Sequence, residues 1–171
     1  LPVDVALIQV SSPDEHGFVS LGVSVDYTLK AAKRAKILIA QVNKKMPRTL
    51  GDSFLHLDEI DFIVKRDEEI LEIPLPKIGE VEKKIGEYCS SLINDGDTLQ
   101  LGIGAIPDAV LTFLELKKDL GIHSEMISDG ILELIKKGVI TNKKKQTFVG
   151  KTLVTFIMGS RKLYDYVDNN P

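Results

Sequence analysis

The stretch "TLQLGIGAIPDAVLTFLELKKDLGIHSEMI" (98–127) decides the fold class. "TLQLG" (98–102) reads as a strand, "DAVLTFLELKKD" (108–119) as a helix and "GIHSEMI" (121–127) as the next strand. A glycine-rich turn, "GIGAIP" (102–107), joins the first strand to the helix. Pro107 is expected at the first helical position, where its missing N–H costs nothing. Strand, helix and strand in this order suggest a βαβ crossover in a parallel sheet. Parallel strands put their C-terminal ends on one edge, and α/β proteins bind ligands there. The glycine turn and Glu125 therefore fall on the same edge.

The pattern continues outward. "ILELIKKG" (131–138) reads as a helix with Gly138 just past its end. "TLVTFIMG" (152–159) is another strand, and "SRKLYDYV" (160–167) starts another helix. Upstream, Ile78, Val81, Ile85, Tyr88, Cys89 and Leu92 recur at helical spacing. That spacing predicts an amphipathic helix with Cys89 packed on its apolar face. The two prolines of "EIPLPKIG" (72–79) mark a stiff linker.

Before the linker the same α/β alternation occurs. "VDVALIQV" (3–10) and "KILIAQV" (36–42) are nearly continuous apolar runs, as expected for strands buried on both faces. "VDYTLKAAKRA" (25–35) fits a helix between them, with Ser24 as its N-cap. "FVSLG" (18–22) and residues near 61–64 read as short strands, and "SSPDEHG" (11–17) as a turn. The fold class is thus α/β, with parts of two domains on either side of residues 73–76.

Bulk properties narrow the function. The 171 residues are 43% hydrophobic and 27% charged, a globular composition. A net charge of −3 offers no broad basic surface for nucleic acid. The single cysteine excludes an internal disulfide and fits a reducing, cytoplasmic setting. No apolar run has the length of a membrane span. His16, His56 and His123 stand at no metal-ligand spacing, so no metal site is expected. The charge run "KKK" (143–145) reads as a solvated turn. The chain opens at Leu1, without a methionine, directly into a strand, and is read as an excised piece.

The glycine turn supports three readings. A tight βα turn can need glycine for its dihedrals alone. A dinucleotide site would use Gly102 and Gly104, with Glu125 on the ribose, but Pro107 replaces the third glycine of that fingerprint. An acyl thioester site would use backbone donors at 102–106 on the carbonyl while Glu125 attacks it. Composition and spacing leave these readings open.

Five segments carry a resemblance. "LQLGIGAIPDAV", "DLGIHSEMISDG", "MGSRKLYDYVDNNP", "VALIQVSSPDEHGFVSLGVSVDYT" and "MPRTLGDS" resemble, in order, the acyl-CoA transferase family that includes the acetyl-CoA hydrolase/transferases. The resemblance implies a NagB/RpiA/CoA-transferase-like parallel-sheet fold. It implies that residues 1–72 are the later part of an N-terminal domain and 77–171 the opening part of a C-terminal one. It implies Glu125 as the nucleophile and Gly102, Ile103, Gly104, Ala105 and Ile106 as the coenzyme A contacts. Ser124 stands where many members have threonine, and Ala105 where many have glycine. Ser124 and His123 are read as residues that orient the loop.

The implied reaction is ping-pong transfer of CoA from a short-chain acyl-CoA to a carboxylate such as acetate, through a glutamyl-CoA thioester. Coenzyme A is then a substrate, and no tightly bound cofactor is expected. The resemblance further implies a homo-oligomeric parent with no nucleic-acid or membrane partner. A piece lacking much of the cleft is expected to be inactive alone. Hydrolysis by the same glutamate, or a non-catalytic nucleotide-binding module, are the alternatives.

Overall fold

The chain alternates parallel strands and helices in two separate units. In the computed structural model, which describes residues 2–171, one unit takes the residues up to Glu72 together with Tyr164–Pro171. Ile73–Leu163 form the other.

In the first unit, β1 (Val3–Val10), β3 (Ala35–Val42) and β5 (Phe62–Lys65) form a parallel sheet in the order β1-β3-β5. Side chains alternate across a strand. Ala6, Ile8 and Val10 of β1 and Leu38, Ala40 and Val42 of β3 therefore share one face, where Leu29 and Ala32 of α1 (Thr28–Ala32) join them in the core. The opposite face carries Val5, Leu7, Ile37, Phe62 and Val64, all exposed. The expectation of strands buried on both faces is thus corrected: helix α1 covers one face only.

Two further details differ from the sequence reading. Helix α1 is shorter than expected, and its N-cap is Tyr27 with no side-chain cap bond. Ser24 instead donates to Asp26, whose carboxylate takes the Thr28 amide at 2.9 Å. The short β2 (Phe18–Ser20) pairs antiparallel with β4 (Phe54–His56), a strand that the sequence did not suggest. The turn before β2 is organised by Asp14, which accepts the amides of His16 and Phe18 and pairs with Arg48 at 2.6 Å.

The second unit contains α2 (Glu80–Ser91), β6 (Thr98–Leu99), α3 (Ala105–Thr112), β7 (Gly121–Ile122), β8 (Met126–Ile127), α4 (Asp129–Lys136) and β9 (Phe156–Ile157). Helix α5 (Arg161–Val167) follows. β6 pairs with β7 and β8 with β9, both in parallel. Leu114, Leu120, Ile122, Ile131 and Leu132 are fully buried between these strands and α3 and α4.

The amphipathic reading of α2 is corrected. Val81, Tyr88 and Leu92 are exposed, and Cys89 is exposed with them. The buried positions of α2 are Gly86 and Ser90. A Cβ at Gly86 would lie 2.8 Å from the Ala109 carbonyl carbon, so α3 approaches the backbone of α2 too closely for any side chain. Contact on this small-residue stripe turns the larger apolar residues outward.

Candidate active site

The expected strand 121–127 is broken around Glu125. β7 ends at Ile122 and β8 begins at Met126, with Glu125 at a bend between them. Two successive amides, Thr155 at 2.9 Å and Phe156 at 3.0 Å, donate to the Glu125 carbonyl. The Thr155 hydroxyl donates to the same oxygen at 2.9 Å. Two residues opposing one is the count of a β-bulge, a device that re-aims a side chain. The Glu125 side chain is exposed, and its carboxylate has no hydrogen-bond or ionic partner among the described residues. A fixed backbone thus carries a free carboxylate.

Ser124, buried, connects this bend to the glycine turn. Its amide donates to the Leu153 carbonyl at 3.0 Å. Its hydroxyl donates to the Leu101 carbonyl at 2.9 Å and accepts the Leu101 amide at 3.1 Å. The regular ladder between the two strands ends one step earlier, at the His123 amide and Leu99 carbonyl. Ser124 therefore extends the pairing with a side chain where backbone pairing stops. Gly102 and Glu125 each follow directly on one partner of this contact.

The turn itself opens toward solvent. Gly102, Ile103, Gly104 and Ile106 are exposed and Ala105 is half-buried. Gly104 is the N-cap of α3 at φ 119°, a backbone conformation that only glycine adopts freely. Helix α3 begins at Ala105, so Pro107 is its third residue and not its first. The correction leaves the chemistry intact, because the first-turn amides of a helix have no intrahelical acceptor. Ala105 and Ile106 supply such amides, and the helix end adds a partial positive charge.

Sequence reasoning missed three polar residues of this unit. Asp108, in the first turn of α3, is 9% exposed, and its Oδ1 accepts the Ser128 hydroxyl at 3.1 Å. Burial, opposed by this bond and aided by the neighbouring Asp129 charge, raises its pKa above the usual aspartate value. Both residues line a cavity of about 240 Å³ that also touches Ile73, Leu75, Gly104 and Met158. The linker is seated there by the Ile73 amide on the Gly159 carbonyl, at 3.1 Å.

Lys145 is the third. It is 5% exposed, which corrects the reading of "KKK" as a solvated turn. Its ammonium donates to the carbonyls of Ile122 and Lys151, each at 2.6 Å, with no carboxylate beside it. Desolvation lowers its pKa. His123 is exposed and stands edge-on to Phe148, with ring centroids 6.2 Å apart. No cluster of metal-ligating side chains occurs among the described residues. None of their helices is long and apolar enough to cross a membrane.

Known proteins resemble this chain in sequence and fold. The family model of the acetyl-CoA hydrolase/transferase N-terminal domain matches residues 1–74. The whole chain is 67% identical, over 171 residues, to 4-hydroxybutyrate coenzyme A transferase of Clostridium kluyveri, covering 40% of that protein. Residues 1–74 thus match the acetyl-CoA hydrolase/transferase family, and the whole chain is similar to CoA-transferases. Butyryl-CoA:acetate CoA-transferase of Anaerostipes caccae is a more distant relative, 35% identical over 179 residues that span 99% of this chain and 39% of that protein. The crystal structure of 4-hydroxybutyrate CoA-transferase from Porphyromonas gingivalis superposes with a TM-score of 0.97 at 51% identity, covering 100% of this chain and 44% of that one. RipA from Yersinia pestis gives 0.95 at 37%, covering 98% and 39%. The fold is therefore the CoA-transferase-like α/β fold. The chain spans about 40% of the length of the curated relatives it matches.

Proposed function

We propose that this chain contributes the nucleophile and part of the coenzyme A site to a CoA-transferase. Its substrates are short-chain acyl-CoA, such as 4-hydroxybutyryl-, butyryl- or acetyl-CoA, and a carboxylate acceptor such as acetate. The observation that carries the reading is the free Glu125 carboxylate on a bend whose backbone is tied, through Ser124 and Leu101, to the exposed turn at Gly102–Ile106.

The reaction runs in four balanced steps. Glu125 attacks the thioester carbonyl, giving an acyl-glutamyl anhydride and CoA thiolate. The thiolate attacks the glutamyl carbonyl, releases the first carboxylate and leaves a glutamyl-CoA thioester. The acceptor carboxylate then attacks that thioester, forming a second anhydride and freeing the thiolate again. Thiolate attack on the acyl carbon gives the new acyl-CoA and restores Glu125. Amides near Gly104–Ile106 face the developing oxyanion, a contribution typically worth ~3 kcal/mol per donor. Splitting the transfer through a covalent intermediate lowers each barrier.

In this reading residues 1–72 belong to the N-terminal domain of the parent and 77–171 to its C-terminal domain. The parent is a cytoplasmic homo-oligomer, and the 171-residue chain alone is inactive. The test is to incubate the intact protein with acyl-CoA and map adducts by mass spectrometry. A thioester or anhydride mass on Glu125 is expected. An adduct on another residue sinks the assignment. Release of CoA at the same rate with and without acetate would assign a hydrolase using the same glutamate.

A further inference from the structure

Asp108 has no role in the chemistry above, yet it is a nearly buried carboxylate on the wall of a cavity that begins at Gly104. Burying such a group without a cationic partner is costly. Its Oδ1 is occupied by Ser128. No buried side-chain oxygen among the described residues lacks a partner. Oδ2 accepts no hydrogen bond, so it reaches open space, and Asp108 lines the cavity. Apart from Ser128 the other walls carry no polar side chain, and they include Ile73, Leu75, Ile103 and Met158.

The dimensions restrict the occupant. The volume of about 240 Å³ lies below the ~300–1,000 Å³ of sites for drug-sized ligands. Coenzyme A as a whole does not fit such a space, whereas a short acyl chain does. Asp108 stands one helical turn, ~5.4 Å, beyond Gly104. A four-carbon chain with a terminal hydroxyl covers a similar length at ~1.5 Å per bond.

We infer that this cavity receives the acyl chain, and that Asp108 Oδ2 accepts a hydrogen bond from a hydroxyl at the chain's far end. Ser128 is the positioning residue that holds the carboxylate through Oδ1. The inference rests on the CoA-transfer reading and adds to it a chain-length limit and a polarity rule. A hydroxyl-terminated chain satisfies the buried acceptor, a methyl-terminated one leaves it unpaired, and a carboxylate-terminated one is repelled.

The experiment compares kcat/KM of the intact protein for 4-hydroxybutyryl-, butyryl- and succinyl-CoA, with acetate as acceptor. Asp108→Ala is expected to lower the ratio of 4-hydroxybutyryl- to butyryl-CoA about tenfold or more, because a site built around a hydroxyl discriminates strongly. Asp108→Asn keeps an acceptor but removes the charge, and should raise the succinyl-CoA ratio by a similar factor. Met158→Phe reduces the space without touching Asp108, and should depress butyryl- relative to acetyl-CoA. Equal losses for all acyl groups in these variants overturn the pocket alone. Wild-type protein inert toward every acyl-CoA overturns the transferase reading and the pocket with it.

Discussion

The Ser124 hydroxyl makes two bonds to the same residue, donating to the Leu101 carbonyl and accepting the Leu101 amide. One side chain thus replaces a full rung of backbone pairing between the Glu125 bend and the glycine turn. Ser124→Ala leaves both Leu101 groups unpaired, at a cost of about 1–3 kcal/mol each where they are desolvated. The intact variant should melt lower and lose activity, while Ser124→Thr, which keeps the hydroxyl, should stay near wild type in both. Thermal melts and steady-state kinetics on the pair check this.

Glu125 separates stability from activity. Its carboxylate is exposed and partnerless, so Glu125→Gln should change stability by less than about 0.5 kcal/mol. Loss of the nucleophile should cut turnover by several orders of magnitude. A stable variant that retains more than a tenth of wild-type turnover would contradict the assignment.

Gly104 tests the turn. Nothing lies within 4 Å of a Cβ built there, so Gly104→Ala meets no clash. Its φ of 119° is nevertheless unfavourable for alanine, by about 1–3 kcal/mol. The turn is expected to relax, displacing the Ala105 and Ile106 amides. KM for acyl-CoA should rise and kcat fall, whereas Gly102→Ala, free of positive φ, should have the milder effect.

Asp108 sets a pH dependence. Its folded-state pKa lies above the ordinary aspartate value of 3.8, mainly through burial. Between 3.8 and that raised value the folded state binds more protons than the unfolded one, so stability falls as pH rises through this window. The penalty is complete above the raised value and absent below 3.8. Asp108→Asn should therefore stabilise the protein at neutral pH, with the gain shrinking on acidification toward pH 3.8. Denaturant titrations of both proteins at several pH values measure it.

The bare face of the β1-β3-β5 sheet predicts behaviour of the chain in isolation. Val5, Leu7, Ile37, Phe62 and Val64 form an apolar surface of the kind that soluble monomers rarely expose. The 171-residue chain should bind a hydrophobic dye and self-associate on a sizing column. Leu7→Ser with Phe62→Ser should reduce both at little cost in stability, since both side chains are already exposed.

The strand–turn–helix order around Gly102–Pro107 was legible because glycine, proline and apolar spacing are local signals. Glu125 and the glycine turn were legible as neighbours because parallel strands share an edge. The bend at Glu125 was not, since it depends on amides of Thr155 and Phe156, thirty residues away in the chain. Periodicity placed an apolar stripe on α2 but could not show that Gly86 and Ser90 would be the contact, because that choice is made by α3. Lys145 and Asp108 stayed hidden for a related reason. A charged residue reads as solvated until the carbonyls or hydroxyl that receive it are known.

The two carbonyls around Lys145 also make it a clock. Acylating reagents attack only a neutral, accessible amine, and this one is buried and bonded to the carbonyl of Ile122, three residues from Glu125. Its neighbours Lys143 and Lys144 are exposed and should be labelled at once. The lag before Lys145 follows would time the opening of the segment that holds Glu125.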